Sequence, residues 1–168
     1  SRLHQPERLP VAAPKGDSMS DRLDGRIPAV LYPLIRDYVG QIDAELPGLV
    51  TALYLVGSIA LGDFVRGSDL DFVAVLARQA TSDDMTALRA IHERIVRQYP
   101  AWQMEGAYFQ PDALGGLDYT DSPFLKYSDN KLAWSADSTL HAVTWWILKY
   151  YGIAVFGPPP QMLVYTVD

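Results

Sequence analysis

The sequence predicts an α/β (α+β) domain, a small β-sheet with helices packed on it. Two apolar, β-prone runs, residues 52–56 and 72–76, have the length of buried strands. On either side, apolar residues recur at helical spacing: Ile35, Val39, Ile42 and Leu46 before the runs, and Met85, Leu88, Ile91 and Ile95 after them. Between the two runs lies a turn carrying Gly57 and Ser58, and the second run is led in by Ser68-Asp69-Leu70-Asp71.

A chain of 168 residues is long enough for one ordinary domain with a real core. Its 49% hydrophobic and 20% charged residues are a globular composition. The formal net charge of −6 disfavours non-specific binding to a nucleic-acid backbone and favours a cationic substrate. With no cysteine, disulfides, thiolate metal sites and cysteine nucleophiles are excluded. No apolar run approaches the length of a membrane span and no signal core opens the chain, so a cytoplasmic setting is expected.

Residues 1–24 lack a sustained apolar period and are read as a flexible arm; Met19 is a candidate native start, which would make residues 1–18 an added leader. The main domain is assigned to residues 25–160 and a short tail to 161–168. Pro33 suits the first turn of a helix, and Pro47-Gly48 ends it. Thr81 or Ser82 can cap a second helix over residues 83–99, which Pro100 stops. His92 on that helix sits among charged residues and is expected at an exposed or edge position.

Residues 101–110 read as a third strand, in which Glu105 is the one charge. The local pattern leaves open whether Glu105 faces water on an edge strand or does chemistry. Residues 111–135 read as loop with a hairpin, 124–127 pairing with 131–134 across Ser128-Asp129-Asn130. Its aromatics, Tyr119, Phe124, Tyr127 and Trp134, are expected to cover the core rather than line a ligand site. A third helix spans residues 137–151, capped by Asp137 or Ser138, with Leu140, Val143, Ile147 and Tyr151 as its stripe. Trp145 and Trp146 make it apolar nearly all round, so burial is expected, and His141 is read as structural. Residues 153–156 form a last short strand before Gly157-Pro158-Pro159-Pro160.

The chemistry lies at residues 57–71. Two carboxylates two residues apart on a strand share a face, because the side-chain period of a strand is two. Burying two like charges together is costly without a cation between them, and Asp oxygens suit Mg²⁺. Gly57 permits close backbone approach, and Ser58 offers a hydroxyl and an N–H to an anion. A phosphate cradle beside a metal site points to phosphoryl or nucleotidyl transfer.

Gly57-Ser58, Gly62 and Ser68-Asp69-Leu70-Asp71, set between two apolar strands, resemble the signature of the polymerase-beta-like nucleotidyltransferase superfamily. The spacing is most similar to that of the aminoglycoside adenylyltransferases that modify streptomycin and spectinomycin. The resemblance implies a nucleotidyltransferase-type mixed sheet, ATP as donor and Mg²⁺ as cofactor. It implies that Asp69, Asp71 and Glu105 are the catalytic, metal-holding carboxylates, that Gly57 and Ser58 hold phosphates, and that Ser68 is a weaker phosphate candidate. The implied acceptor is a small cationic aminoglycoside. Those enzymes continue past the Gly-Pro exit into a helical domain, whereas this sequence stops at Asp168. A C-terminal domain or second subunit is therefore expected to complete the site. Rival readings are a minimal nucleotidyltransferase acting on a protein, of the antitoxin type, and an inactive nucleotide-binding module. An RNA-tailing or polymerase activity is disfavoured by the charge.

Overall fold

The computed structural model describes residues 23–110, 123–135 and 142–162, with side chains 142–144 excepted. The expectations for Tyr119, His141, the caps at Asp137 or Ser138, the arm up to residue 22 and the tail beyond residue 162 lie outside the described residues.

The apolar runs become strands β1 (Val50–Val56) and β2 (Asp69–Leu76), and a single helical turn, α2 (Gly57–Ala60), opens the link between them. Strand β2 begins at Asp69, ahead of the apolar run, so both aspartates lie on the strand as expected. With β3 (Gln103–Phe109), β4 (Phe124–Ser128), β5 (Lys131–Ser135) and β6 (Ile153–Phe156) they form a sheet ordered β5-β4-β3-β2-β1-β6. The sheet is mixed: β2 and β3 run parallel, and the other neighbours run antiparallel. Strand β3 is therefore interior, which removes the edge-strand reading of Glu105.

The parallel pair requires a crossover, supplied by α3 (Ser82–Gln98). The expected cap is Thr81: its hydroxyl accepts the Asp84 N–H at 3.1 Å, and the Asp84 carboxylate accepts the Thr81 N–H at 2.8 Å. This reciprocal pair satisfies two amides that a helix start otherwise leaves unbonded. Helix α1 (Tyr32–Glu45) packs beside α3, and both bury their apolar stripes against Leu53, Leu55, Phe72 and Ala74 on one sheet face. Arg94 on α3 bonds Gln41 and Glu45 of α1, tying the two helices at their rim.

The opposite face, with Tyr54, Val73, Val75, Ala107 and Phe109, is covered by α4 (Ala142–Tyr151). Helix α4 is not buried all round. Trp145 and Leu148 are in the core, while Trp146, Tyr150 and Tyr151 are 40–50% exposed, so Tyr151 does not belong to the buried stripe. The apolar excess of its sequence is explained by an outward cluster in which Trp146 lies 5.3 Å from the rings of both Tyr150 and Tyr151.

The hairpin is one residue longer on each strand than predicted. Asp129 and Asn130, at φ 51° and 59°, make its turn, with Ser128 paired to Lys131. Two consecutive positive φ values are what a tight two-residue hairpin turn needs, and Asp and Asn tolerate them. Phe124 and Tyr127 do cover the core, whereas Trp134 is 41% exposed.

His92 is also corrected: it is 2% exposed, not at the surface. Its ring stacks on Tyr127 at 3.7 Å and its Nε2 lies 2.7 Å from the Tyr108 hydroxyl, which in turn lies 2.6 Å from that of Tyr38. The helical pattern around His92 places it beside Ile91 and Ile95, and a hydroxyl partner from β3 makes burial tolerable. Burial pushes its pKa from 6.5 down to about 3. The unfolded chain then binds the proton more readily, so stability is retained above pH 6.5 and lost as pH falls towards 3. Thermal melts across that window should show the loss, and His92→Gln should flatten it; an unchanged acid limb in the variant would place its cause elsewhere.

Candidate active site

Strand alternation puts Asp69 and Asp71 on the face of the sheet that α4 covers, with Val73 and Val75 behind them. In the parallel register Asp71 stands opposite Glu105, and Asp69 opposite Gln103. The three carboxylates Asp69, Asp71 and Glu105 each offer an oxygen lying within 4.8 Å of the others, and each is half-buried. Residues far apart in the sequence are thus brought side by side.

Such a cluster is electrostatically unfavourable by itself. Burial first, then the charges of Asp69 and Glu105, push the Asp71 carboxyl from 3.8 up to about 6. The Ser128 hydroxyl donates a hydrogen bond to Glu105 Oε1 at 3.0 Å. Three hard oxygen donors that repel one another, close enough to share one ion, fit a divalent cation such as Mg²⁺.

Gly57 has a definite steric role. It adopts φ 66°, and a Cβ added there would collide with Asp71 Oδ2. Only glycine lets the backbone turn out of β1 while the carboxylate sits against it. Ser58 follows on the one-turn α2, half-buried at the same corner. Ser68 is engaged locally: its hydroxyl oxygen accepts the Val65 N–H at 3.1 Å and closes the loop that leads into β2.

A cavity of about 240 Å³ opens beside the carboxylates. Gly57, Asp71 and Glu105 line it together with Lys126, Ser128 and Ile147. Sequence reasoning assigns none of the last three to the site. Lys126 and Ser128 alternate on β4, so they share a face, but only the pairing of Gly106 with Tyr127 sets them against Glu105. Lys126 is the one cation among these lining residues.

Residues 35–105 match the family model of the nucleotidyltransferase domain. Over that segment, less than half of the 168 residues, the chain is similar to a nucleotidyltransferase domain. That match ends on Glu105, the third member of the acidic cluster. Among solved structures, the spectinomycin adenyltransferase AAD(9) from Enterococcus faecialis, with ATP and spectinomycin, is similar with a TM-score of 0.65 at 14% identity. The likeness covers 82% of this chain and 60% of that one, so the chain spans little more than half of that protein's length. At this identity it shows the fold, and it extends the nucleotidyltransferase-type architecture past the segment of the family match. A toxin–antitoxin structure with AMP-PNP is more distant, with a TM-score of 0.45 at 10% identity over 79% of this chain and 82% of that one. No curated protein sequence matches the chain.

The raised pKa of Asp71 has a consequence for stability. The folded state favours the protonated carboxyl, so the stability it contributes is lost as pH rises through about 6. Near neutral pH in a chelating buffer, Asp71→Asn should therefore melt at a higher temperature than the wild type. Mg²⁺ should raise the wild-type midpoint and leave that of the variant nearly unmoved. A variant less stable than the wild type without metal would contradict the repulsive reading of the cluster.

Proposed function

We propose that the protein transfers AMP from ATP to a hydroxyl of a small cationic acceptor, an aminoglycoside, in a Mg²⁺-dependent reaction. The observation that carries this is the convergence of Asp69, Asp71 and Glu105 within 4.8 Å, with Gly57 against Asp71, inside the segment similar to a nucleotidyltransferase domain. The likeness to AAD(9), a spectinomycin adenyltransferase whose structure holds ATP and spectinomycin, supports the choice of donor and acceptor class. The negative net charge suits a cationic acceptor, and a cytoplasmic setting suits an ATP-dependent reaction.

Asp69 and Asp71 would hold the metal, with Glu105 as a shared ligand. When bound, Mg²⁺ supplies positive charge that stabilises the phosphates as charge develops on them. Gly57 and Ser58 hold the β- and γ-phosphates, with Ser68 secondary because its hydroxyl already accepts Val65 N–H. Glu105 takes the proton from the acceptor hydroxyl as that oxygen bonds the α-phosphorus. The bond from the α-phosphorus to the bridging oxygen breaks, and pyrophosphate leaves with the electron pair. Lys126, lining the same cavity, adds a cation that favours the phosphate side over a cationic acceptor.

Replacing Asp69 or Asp71 by Asn should remove Mg²⁺-dependent ATP binding in calorimetry. In an enzyme completed by the further domain or second subunit, Glu105→Gln should instead leave the fold intact and lose transfer in the chemical step, with some weakening of metal binding. Wild-type turnover in that variant would remove Glu105 from the proposed chemistry.

The cavity of about 240 Å³ is smaller than the roughly 300–1,000 Å³ of pockets that enclose small ligands. The described residues thus provide a floor for phosphates and metal rather than a chamber for donor and acceptor together. The exposed Trp146, Tyr150 and Tyr151 on α4 support a further domain or second subunit as the missing wall. The 168-residue chain by itself is expected to bind ATP with Mg²⁺ weakly and to adenylylate spectinomycin or streptomycin poorly, if at all. Robust transfer by the monomeric chain, followed by release of pyrophosphate, would overturn the second-wall proposal.

A further inference from the structure

Strand β4 contributes a side chain to the acidic cluster that the family match, ending at residue 105, does not reach. The last registered pair between β3 and β4 is Gly106 with Tyr127, and one step further Glu105 and Ser128 face each other. Their side chains meet on the α4 face, where the Ser128 hydroxyl donates to Glu105 Oε1 at 3.0 Å. Ser128 is half-buried and lines the cavity beside the carboxylates.

We propose that Ser128 is a positioning residue that holds Glu105 in the orientation the metal-binding and transfer site requires. The inference rests on the reading of Asp69, Asp71 and Glu105 as that site. A glutamate reaches its function through several rotatable bonds, and next to two like charges it would swing away towards water. One hydroxyl bond to Oε1 resists that motion and leaves the other oxygen free for the cluster. The shorter side chains of Asp69 and Asp71 start on the strand itself, Asp71 against Gly57, and need less restraint.

The support has its own support. Ser128 immediately precedes the Asp129-Asn130 turn, whose two positive φ values set the register of β4 on β5. On its other side Tyr127 is clamped by the His92 ring at 3.7 Å. The hydroxyl is thus delivered by a rigid segment, as a side chain that orients a ligand must be.

The test uses Mn²⁺ alone as probe, titrated into the full chain and followed by electron paramagnetic resonance, with thermal melts in chelator as a check of folding. Residues that orient a metal ligand are typically worth roughly 10–100-fold in metal affinity. Ser128→Ala is expected to weaken Mn²⁺ binding by about tenfold or more on that scale, while melting like the wild type in chelator. Ser128→Thr, which keeps the hydroxyl, is expected to restore the affinity. Wild-type affinity in Ser128→Ala alongside weakened binding in Glu105→Gln overturns the positioning role and leaves the site reading standing. Equal losses in the Ala and Thr variants likewise overturn it, because the hydroxyl would not be what matters. Wild-type affinity in Glu105→Gln removes Glu105 from the metal cluster, and both the inference and that part of the site reading fall.

Discussion

Three carboxylates held within reach of one ion set the terms for the rest of the structure. Water would separate Asp69, Asp71 and Glu105; the folded chain keeps them together by fixing their backbones on adjacent strands of a parallel pair. The opposition of Asp71 and Glu105 is a register contact, so it cannot relax without slipping β2 against β3. Such a slip would move Leu70 and Phe72, each 1% exposed, out of the core and towards the opposite face. Hydrophobic burial on one side of β2 thus holds like charges in place on the other.

The two faces of the sheet divide the work. Beneath the carboxylates, α1 and α3 bury the larger apolar cluster, and Tyr38, Tyr108 and His92 share hydroxyl and ring-nitrogen contacts inside it. His92, kept neutral by burial, places no fixed positive charge below the acidic site. On the upper face the core is smaller, with Trp145 and Leu148 of α4 over Tyr54, Val73 and Phe109. The site lies at the end of that smaller core, which is why its carboxylates are half-buried and reachable. Outside α4 the apolar surface continues as Trp146 and the two tyrosines, so this helix carries aromatic side chains on both its inner and outer sides.

Local pattern makes much of this legible. The alternation of Asp69 and Asp71, the glycine-serine turn and the periodicity of Met85, Leu88, Ile91 and Ile95 are short-range signals, and each appears in the structure as the element it implies. His92 and Trp146 depart from local expectation for a common reason. Residue type and immediate neighbours describe what a position tolerates, whereas burial depends on what another element brings to it. His92 is buried because Tyr108 offers a hydroxyl from β3 and Tyr127 a ring from β4. Trp146 is exposed because one helix face can meet the sheet only once, and Trp145 and Leu148 occupy it.

By itself the sequence determined the paired aspartates on one strand face, the glycine that must precede them and the helices that cover the sheet. These follow from dihedral limits and from periods of two and 3.6 residues, which act along the chain. Only the tertiary structure decided that Glu105 joins the aspartates from an interior strand. Strand order and register are non-local choices, and an isolated glutamate in an apolar run is compatible with either face of several sheets. The same holds for Ser128 and Lys126: nothing adjacent to them in sequence marks them, and their place beside Glu105 exists only once β4 has paired with β3.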